Sequence, residues 1–198
     1  IKEMLLDSIA ELGNISEAVR ECIGKEEDIN ILSGAILSGS IDVTDLSEGT
    51  HALSLTCRGN GHVKNFFSVG QHCVYCALEA EARGYSRRVI LGCLLHDASE
   101  AYMSDVPRPF KEMLSEYQKL EDKLINMINT YFLGSVLSEE EQAKVKEIDD
   151  DILYFDMIEL LGVQQDGPKP EMRIALDYSV QPFEKIERAY IEIFERYI

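Results

Sequence analysis

Residues 86–102 read SRRVILGCLLHDASEAY, seven apolar or small side chains in a row followed by an imidazole, a carboxylate and a further carboxylate three positions on. The run 89–95 has the character of a helix buried on most sides that turns polar at His96. On such a helix His96 and Asp97 lie about 100° apart around the axis, and Glu100 follows one turn later. Three functional side chains then share one helix end at the rim of a core. Unpaired ionised groups there cost several kcal/mol, and a bound cation would remove that cost.

On either side of this segment helix follows helix. Asp45 with Glu48, Ser68 with Gln71, and Ser138 with Glu141 have the spacing of capping boxes and mark three helix starts. Gly84, Gly134 and Gly162 stand just past the apolar-periodic segments 69–83, 110–133 and 139–161 and mark the stops. The chain closes on an amphipathic helix, QPFEKIERAYIEIFERYI, and its first 30 residues predict one or two more helices, broken near Gly13. Residues 30–43 and the loop 162–172 carry no decisive pattern, and there is no repeat or low-complexity linker. The fold class predicted is all-α, in one compact domain, since domains hold roughly 100 to 200 residues.

Composition excludes several functions. A net charge of −17, from 36 acidic and 19 basic residues, is the opposite of the basic footprint that grips nucleic-acid polymers or anionic lipid. The longest central apolar run, VILGCLL, falls far short of the roughly 18 residues that span a bilayer. Five cysteines form an odd, sparse set that suits a reducing compartment, so a cytoplasmic location is expected.

A cation at the end of the 86–102 helix needs further ligands. The chain has four histidines, His51, His62, His72 and His96. His72 is the first candidate, because it stands near the start of a well-capped helix. A carboxylate from a distant helix would complete the set, and VKEIDDDILYFDMIELL supplies Asp149, Asp150, Asp151 and Asp156. Two nitrogens and two oxygens suit manganese, cobalt, iron or zinc better than calcium or magnesium. His51 reads as structural, inside the EGTHALSL helix. Cys73 and Cys76, a lone C-x-x-C following His72, read as small buried hydrophobes.

The order His72, then His96-Asp97, then a late Asp resembles the H…HD…D signature of the all-helical HD-domain metal-dependent phosphohydrolases. More narrowly, HALSLTCRGNGH, FFSVGQH, LLHDASEAYMSDVPRPFK and VKEIDDD are similar to two branches, the HD-type 5′-deoxynucleotidases and the HD-type deoxynucleoside triphosphohydrolases, including dATP-hydrolysing enzymes. The resemblance spans about residues 41–161, leaving 1–40 and 162–198 as additional helices on the same domain. It implies one divalent transition metal per site, held by His72, His96, Asp97 and Asp149, with Asp150 and Asp151 as rivals for the last place. It implies that Glu100 and Asp105 work beside the metal on the attacking water or the leaving oxygen. Arg58 matches the family's phosphate-contacting arginine and Lys111 a nearby basic residue, while His62 and Arg108 are further candidates for substrate contact.

The function so implied is water attack at the α-phosphorus of a (deoxy)nucleotide. Either orthophosphate leaves a monophosphate or tripolyphosphate leaves a triphosphate. Extra basic groups turned inward, such as Arg108, His62 and Lys64, would favour the triphosphate. The alternative is a metal-holding nucleotide sensor or interaction domain without turnover. Relatives in both branches are homo-oligomers, and the same is expected here. Gly59 replaces an aromatic common after the motif arginine, and the absence of histidine beyond His96 argues against two-metal and cyclic-nucleotide subtypes.

Overall fold

The structure, a computed structural model, describes residues 43–198. The chain divides into two units, Ile1–Val43 and Thr44–Ile198. The helices expected over residues 1–40 lie outside the described residues. The second unit comprises α1 Leu46–Leu55, a 3-10 turn Arg58–Gly61, α2 Val69–Arg83, α3 Arg87–Leu95, α4 Glu100–Met103, α5 Arg108–Lys111, α6 Ser115–Leu133, α7 Glu139–Glu159 and α8 Phe183–Tyr197. Among the described residues the only extended pairing is an isolated antiparallel bridge, Cys57 to Ser68. The fold is all-α.

The caps explain why these helices begin where they do. Asp45 accepts from the amides of Ser47 and Glu48, Ser68 accepts from the Gln71 amide, and Ser138 with Glu141 forms a reciprocal capping box. Two stops are left-handed, with Gly84 at φ 75° and Gly134 at φ 78°.

Two expected helices are broken. The segment 86–102 ends as a helix at Leu95 and restarts at Glu100. His96 Nδ1 donates to the Cys93 carbonyl at 2.8 Å, taking the acceptor that the Asp97 amide would use in a continuing helix. Ala98 and Glu100 amides close i→i−3 turns on Leu95 and Asp97 instead, both at 2.9 Å. The segment 110–133 starts as a long helix only at Ser115, because the Met113 and Leu114 amides close i→i−3 turns on Phe110 and Lys111, each at 3.0 Å.

Helices α2 and α3 form the centre, packed on each other and on α7 and α8, with α1 against α8. Every residue from Val89 to Leu95 is buried, and each large aliphatic among them contributes about 1.5–3 kcal/mol by leaving water. Gly92 lets α7 come close: a Cβ there would stand 2.9 Å from Leu137 and 3.1 Å from Val145. Tyr190 on α8 is buried and donates to the Leu94 carbonyl at 2.7 Å. That carbonyl lost its helical donor when the Ala98 amide turned to Leu95.

Residues 163–182 contain no helix or strand but are tied down. The Arg173 and Ile174 amides donate to the fully buried Glu79. Gln71 donates to the Asp177 carbonyl at 2.9 Å, and the Tyr178 ring stacks on Phe67 with centroids 5.3 Å apart. Among the described residues no helix is long and apolar enough to cross a membrane.

Candidate metal centre

Three helices bring the expected ligands together. His72 stands in the first turn of α2, whose start is fixed by Ser68; His96 caps α3, with Asp97 next; Asp149 comes from the middle of α7. His72 Nε2 lies 3.1 Å from Asp149 Oδ1, His96 Nε2 lies 3.7 Å from the same oxygen and 3.3 Å from Asp97 Oδ2, and the two imidazole centroids are 5.3 Å apart. The three consecutive aspartates leave α7 in different directions. Asp150 is exposed and pairs with Lys146 at 2.7 Å, and Asp151 pairs with Arg83 at 2.7 Å. Only Asp149 of the three faces the histidines.

The far side of each imidazole is also held. His96 Nδ1 donates to a backbone carbonyl, as described, so its Nε2 is the nitrogen turned to the cluster. His72 Nδ1 donates to Asp156 Oδ2 at 3.1 Å, and Tyr178 Oη donates to Asp156 Oδ1 at 2.8 Å. Asp156 lies two turns after Asp149 on the same face of α7, a spacing visible in the sequence. Tyr178, on the irregular segment, carries no such signal.

The protonation pattern follows from this crowding. Burial works against charge on His96, yet the Asp97 carboxylate and contact with Asp149 hold its pKa well above the ordinary imidazole value. Burial and the Arg58 charge work against His72, but Cys76, Asp149 and Asp156 raise it well above that value too. Burial also opposes charge on Asp149, and the hydrogen bond from His72 with the proximity of His96 nonetheless carries its pKa well below the carboxylate range. Glu100 moves the other way: burial first, then the Asp97 and Asp105 charges, push it well above that range.

The expected catalytic and substrate residues fall at different distances from this cluster. Glu100 is buried, with Oε2 lacking any hydrogen-bond partner and Oε1 at 3.8 Å from Lys111 Nζ. Asp105 is buried and accepts from the Gly59 amide at 2.7 Å. Arg58 is turned inward onto carboxylates, at 3.1 Å from Asp97, 3.5 Å from Asp156 and 3.8 Å from Asp105. A substrate phosphate at Arg58 would therefore replace one of these partners. Lys111 is bonded to Glu121 at 2.7 Å. Arg108 is half-exposed at the rim, 3.9 Å from Asp149 and 3.5 Å from Asp150. His62 is exposed at the end of the 3-10 turn, and Lys64 points to the Ile158 carbonyl near the end of α7. His51 keeps its structural reading, bonded to Glu187 and edge-on to Phe183.

The two cysteines set aside in the sequence reading are buried as expected, but they belong to this neighbourhood. Cys76 Sγ lies 3.4 Å from His72 Nε2. It forms with His72 and His96 one group of potential ligand atoms, and Cys73 forms another with His96 and Asp97, each within 4.8 Å throughout. The i, i+4 spacing from His72 to Cys76 was the available signal.

These donors fit a divalent transition ion. His96 Nε2 is buried and without a hydrogen-bond partner, although its ring is oriented by Cys93. Two donors about 2.1 Å from one ion stand roughly 3.0 Å apart at a right angle and 3.4 Å at a tetrahedral angle. The 3.1 and 3.3 Å separations fall in that interval, and 3.7 Å lies just beyond it.

Comparison with known proteins adds a limited relationship. No protein-family profile matches the chain. A stretch of 88 residues is 38% identical to the uncharacterized protein YfdR of Escherichia coli (strain K12), covering 44% of this chain and 47% of that protein. The chain thus spans about half the length of the curated relative it matches.

Proposed function

We propose that the protein is an HD-type metal-dependent phosphohydrolase acting on a (deoxy)nucleotide. The observation that carries this is the convergence of His72, His96, Asp97 and Asp149, with His96 Nε2 buried and unsatisfied. The substrate class comes from the motif resemblance.

His72, His96, Asp97 and Asp149 would hold one manganese, cobalt, iron or zinc ion. When bound, such an ion polarises phosphoryl oxygen and makes water more acidic. Asp156 and the Cys93 carbonyl fix the two rings so that both Nε2 atoms face the same point. Glu100, buried beside Asp97 and Asp105, is suited to orient the attacking water and take its proton. Asp105 holds the Gly59 amide and keeps the Arg58 turn against the site. Arg58 would donate its planar fork to the α-phosphate oxygens, with Asp97 and Asp156 keeping the guanidinium in place until substrate arrives. Arg108 is the one further basic side chain of those considered that reaches the rim. Lys64 is engaged elsewhere and His62 is exposed. That scarcity favours the monophosphate over a triphosphate, whose additional charges need more cationic partners.

A metal-holding sensor without turnover is the competing reading. Glu100 argues against it, because a buried carboxyl oxygen left without a partner costs about 1–3 kcal/mol and serves no purpose in mere binding. The variant Glu100→Ala separates the two. The proposal expects turnover to fall by at least a hundredfold while metal and nucleotide still bind. Unchanged turnover would overturn the assignment.

A further inference from the structure

The site contains a sulfur that the carboxylate–imidazole reading does not use. Cys76 stands one turn beyond His72 on the same face of α2, 1% exposed, with Sγ 3.4 Å from His72 Nε2. An ion about 2.05 Å from an imidazole nitrogen and 2.3 Å from a thiolate sulfur subtends roughly 100° at a separation of that size, near the tetrahedral angle. The Cys76 sulfur also lies within 4.8 Å of a ring nitrogen of His96. Three potential ligand atoms from two helices thus surround one point, and Asp149 Oδ1 reaches both rings of the set. Asp97 Oδ2, 3.3 Å from His96 Nε2, is shared with Arg58 at 3.1 Å.

We infer that Cys76 is a thiolate ligand of this centre, joining His72, His96, Asp97 and Asp149, and that the centre is therefore built for zinc or cobalt(II) in preference to manganese or magnesium. The inference rests on the metal-binding part of the proposed function. Ligation forms a metal–sulfur bond and releases the thiol proton to solvent, with no change of oxidation state. Sulfur selects for the softer ions, whereas manganese and magnesium prefer shells of oxygen. Cys73 groups instead with His96 and Asp97, not with His72.

Cobalt(II) reports on both the ion and the sulfur. Titrating the full chain with cobalt is expected to give visible ligand-field bands and a near-ultraviolet thiolate-to-cobalt charge-transfer band, both saturating at one equivalent. The charge-transfer band is expected to vanish in Cys76→Ser and to survive in Cys73→Ser. Ligand-field bands without charge transfer would overturn the thiolate while leaving the metal centre intact. No bound cobalt would overturn both. If Cys76→Ser does not fold, X-ray absorption on zinc-loaded wild-type protein decides: a sulfur neighbour at about 2.3 Å is expected, and a shell of nitrogen and oxygen alone overturns the inference.

Discussion

Replacing Asp156 by Asn keeps the size of the side chain and removes its charge, which tests whether the carboxylate behind His72 governs the metal site. Asp156 is 3% exposed and makes three contacts at once, to His72 Nδ1 at 3.1 Å, to Tyr178 Oη at 2.8 Å and to Arg58 Nη2 at 3.5 Å. The amide can still accept from His72 through its oxygen, while its NH2 turns to the Tyr178 oxygen, so ring orientation survives. What is lost is the negative charge that makes His72 a stronger donor and that neutralises Arg58. Removing such a partner costs about 10- to 100-fold in metal affinity, or about 1.4–2.8 kcal/mol at 1.4 kcal/mol per factor of ten. A chelator-competition titration with cobalt or zinc measures it directly. Tyr178→Phe is the internal control, since it removes one hydrogen bond to Asp156 and keeps the stack on Phe67; a weakening of less than tenfold is expected. Affinity in Asp156→Asn within twofold of wild type would refute the reasoning.

Three further outcomes follow from the same geometry. Because the carboxylates hold His72 and His96 above the ordinary imidazole pKa, both rings carry protons at neutral pH that a metal must displace. Affinity should rise with pH through that raised range, and calorimetry in buffers of different ionisation enthalpy should show proton release, while proton-neutral binding would contradict the assignment. Gly92→Ala would gain about 0.5–1 kcal/mol of helix propensity but lose about 1–3 kcal/mol to overpacking against Leu137 and Val145. A net loss of about 1 kcal/mol is expected by denaturant titration, and an unchanged midpoint would show that α7 yields more easily than the close packing suggests. Tyr190→Phe leaves the Leu94 carbonyl without its donor and should cost about 1 kcal/mol by the same method.

Much of this architecture was legible because short-range signals carried it. Ser68, Ser138, Gly84 and Gly134 mark helix ends through bonds within a few residues, and the order of the candidate ligands, His72, His96-Asp97, Asp149, can be read along the chain. The break after Leu95 was not legible. It depends on the His96 imidazole competing for the Cys93 carbonyl, and on a tyrosine 96 residues away satisfying Leu94. The inward orientation of Arg58 is a tertiary property, because its carboxylate partners come from the 97–105 segment and from α7. The choice among Asp149, Asp150 and Asp151 was open for the same reason. Periodicity says that one of three consecutive residues faces the site, whereas packing of Arg83 and Lys146 decides which. Cys76 is legible as a small buried residue, whereas the approach of its sulfur to His72 Nε2 is a tertiary property.

The most direct test of the central claim is product identification. Protein loaded separately with manganese, cobalt or zinc would be incubated with deoxynucleoside mono- and triphosphates, and the products separated by chromatography. The account predicts orthophosphate from a monophosphate, abolished by Glu100→Ala. Tripolyphosphate from a triphosphate would keep the enzyme but reverse the substrate preference drawn from its few basic groups. No product from any metal-loaded preparation would contradict the phosphohydrolase reading and leave a metal-holding binding domain in its place.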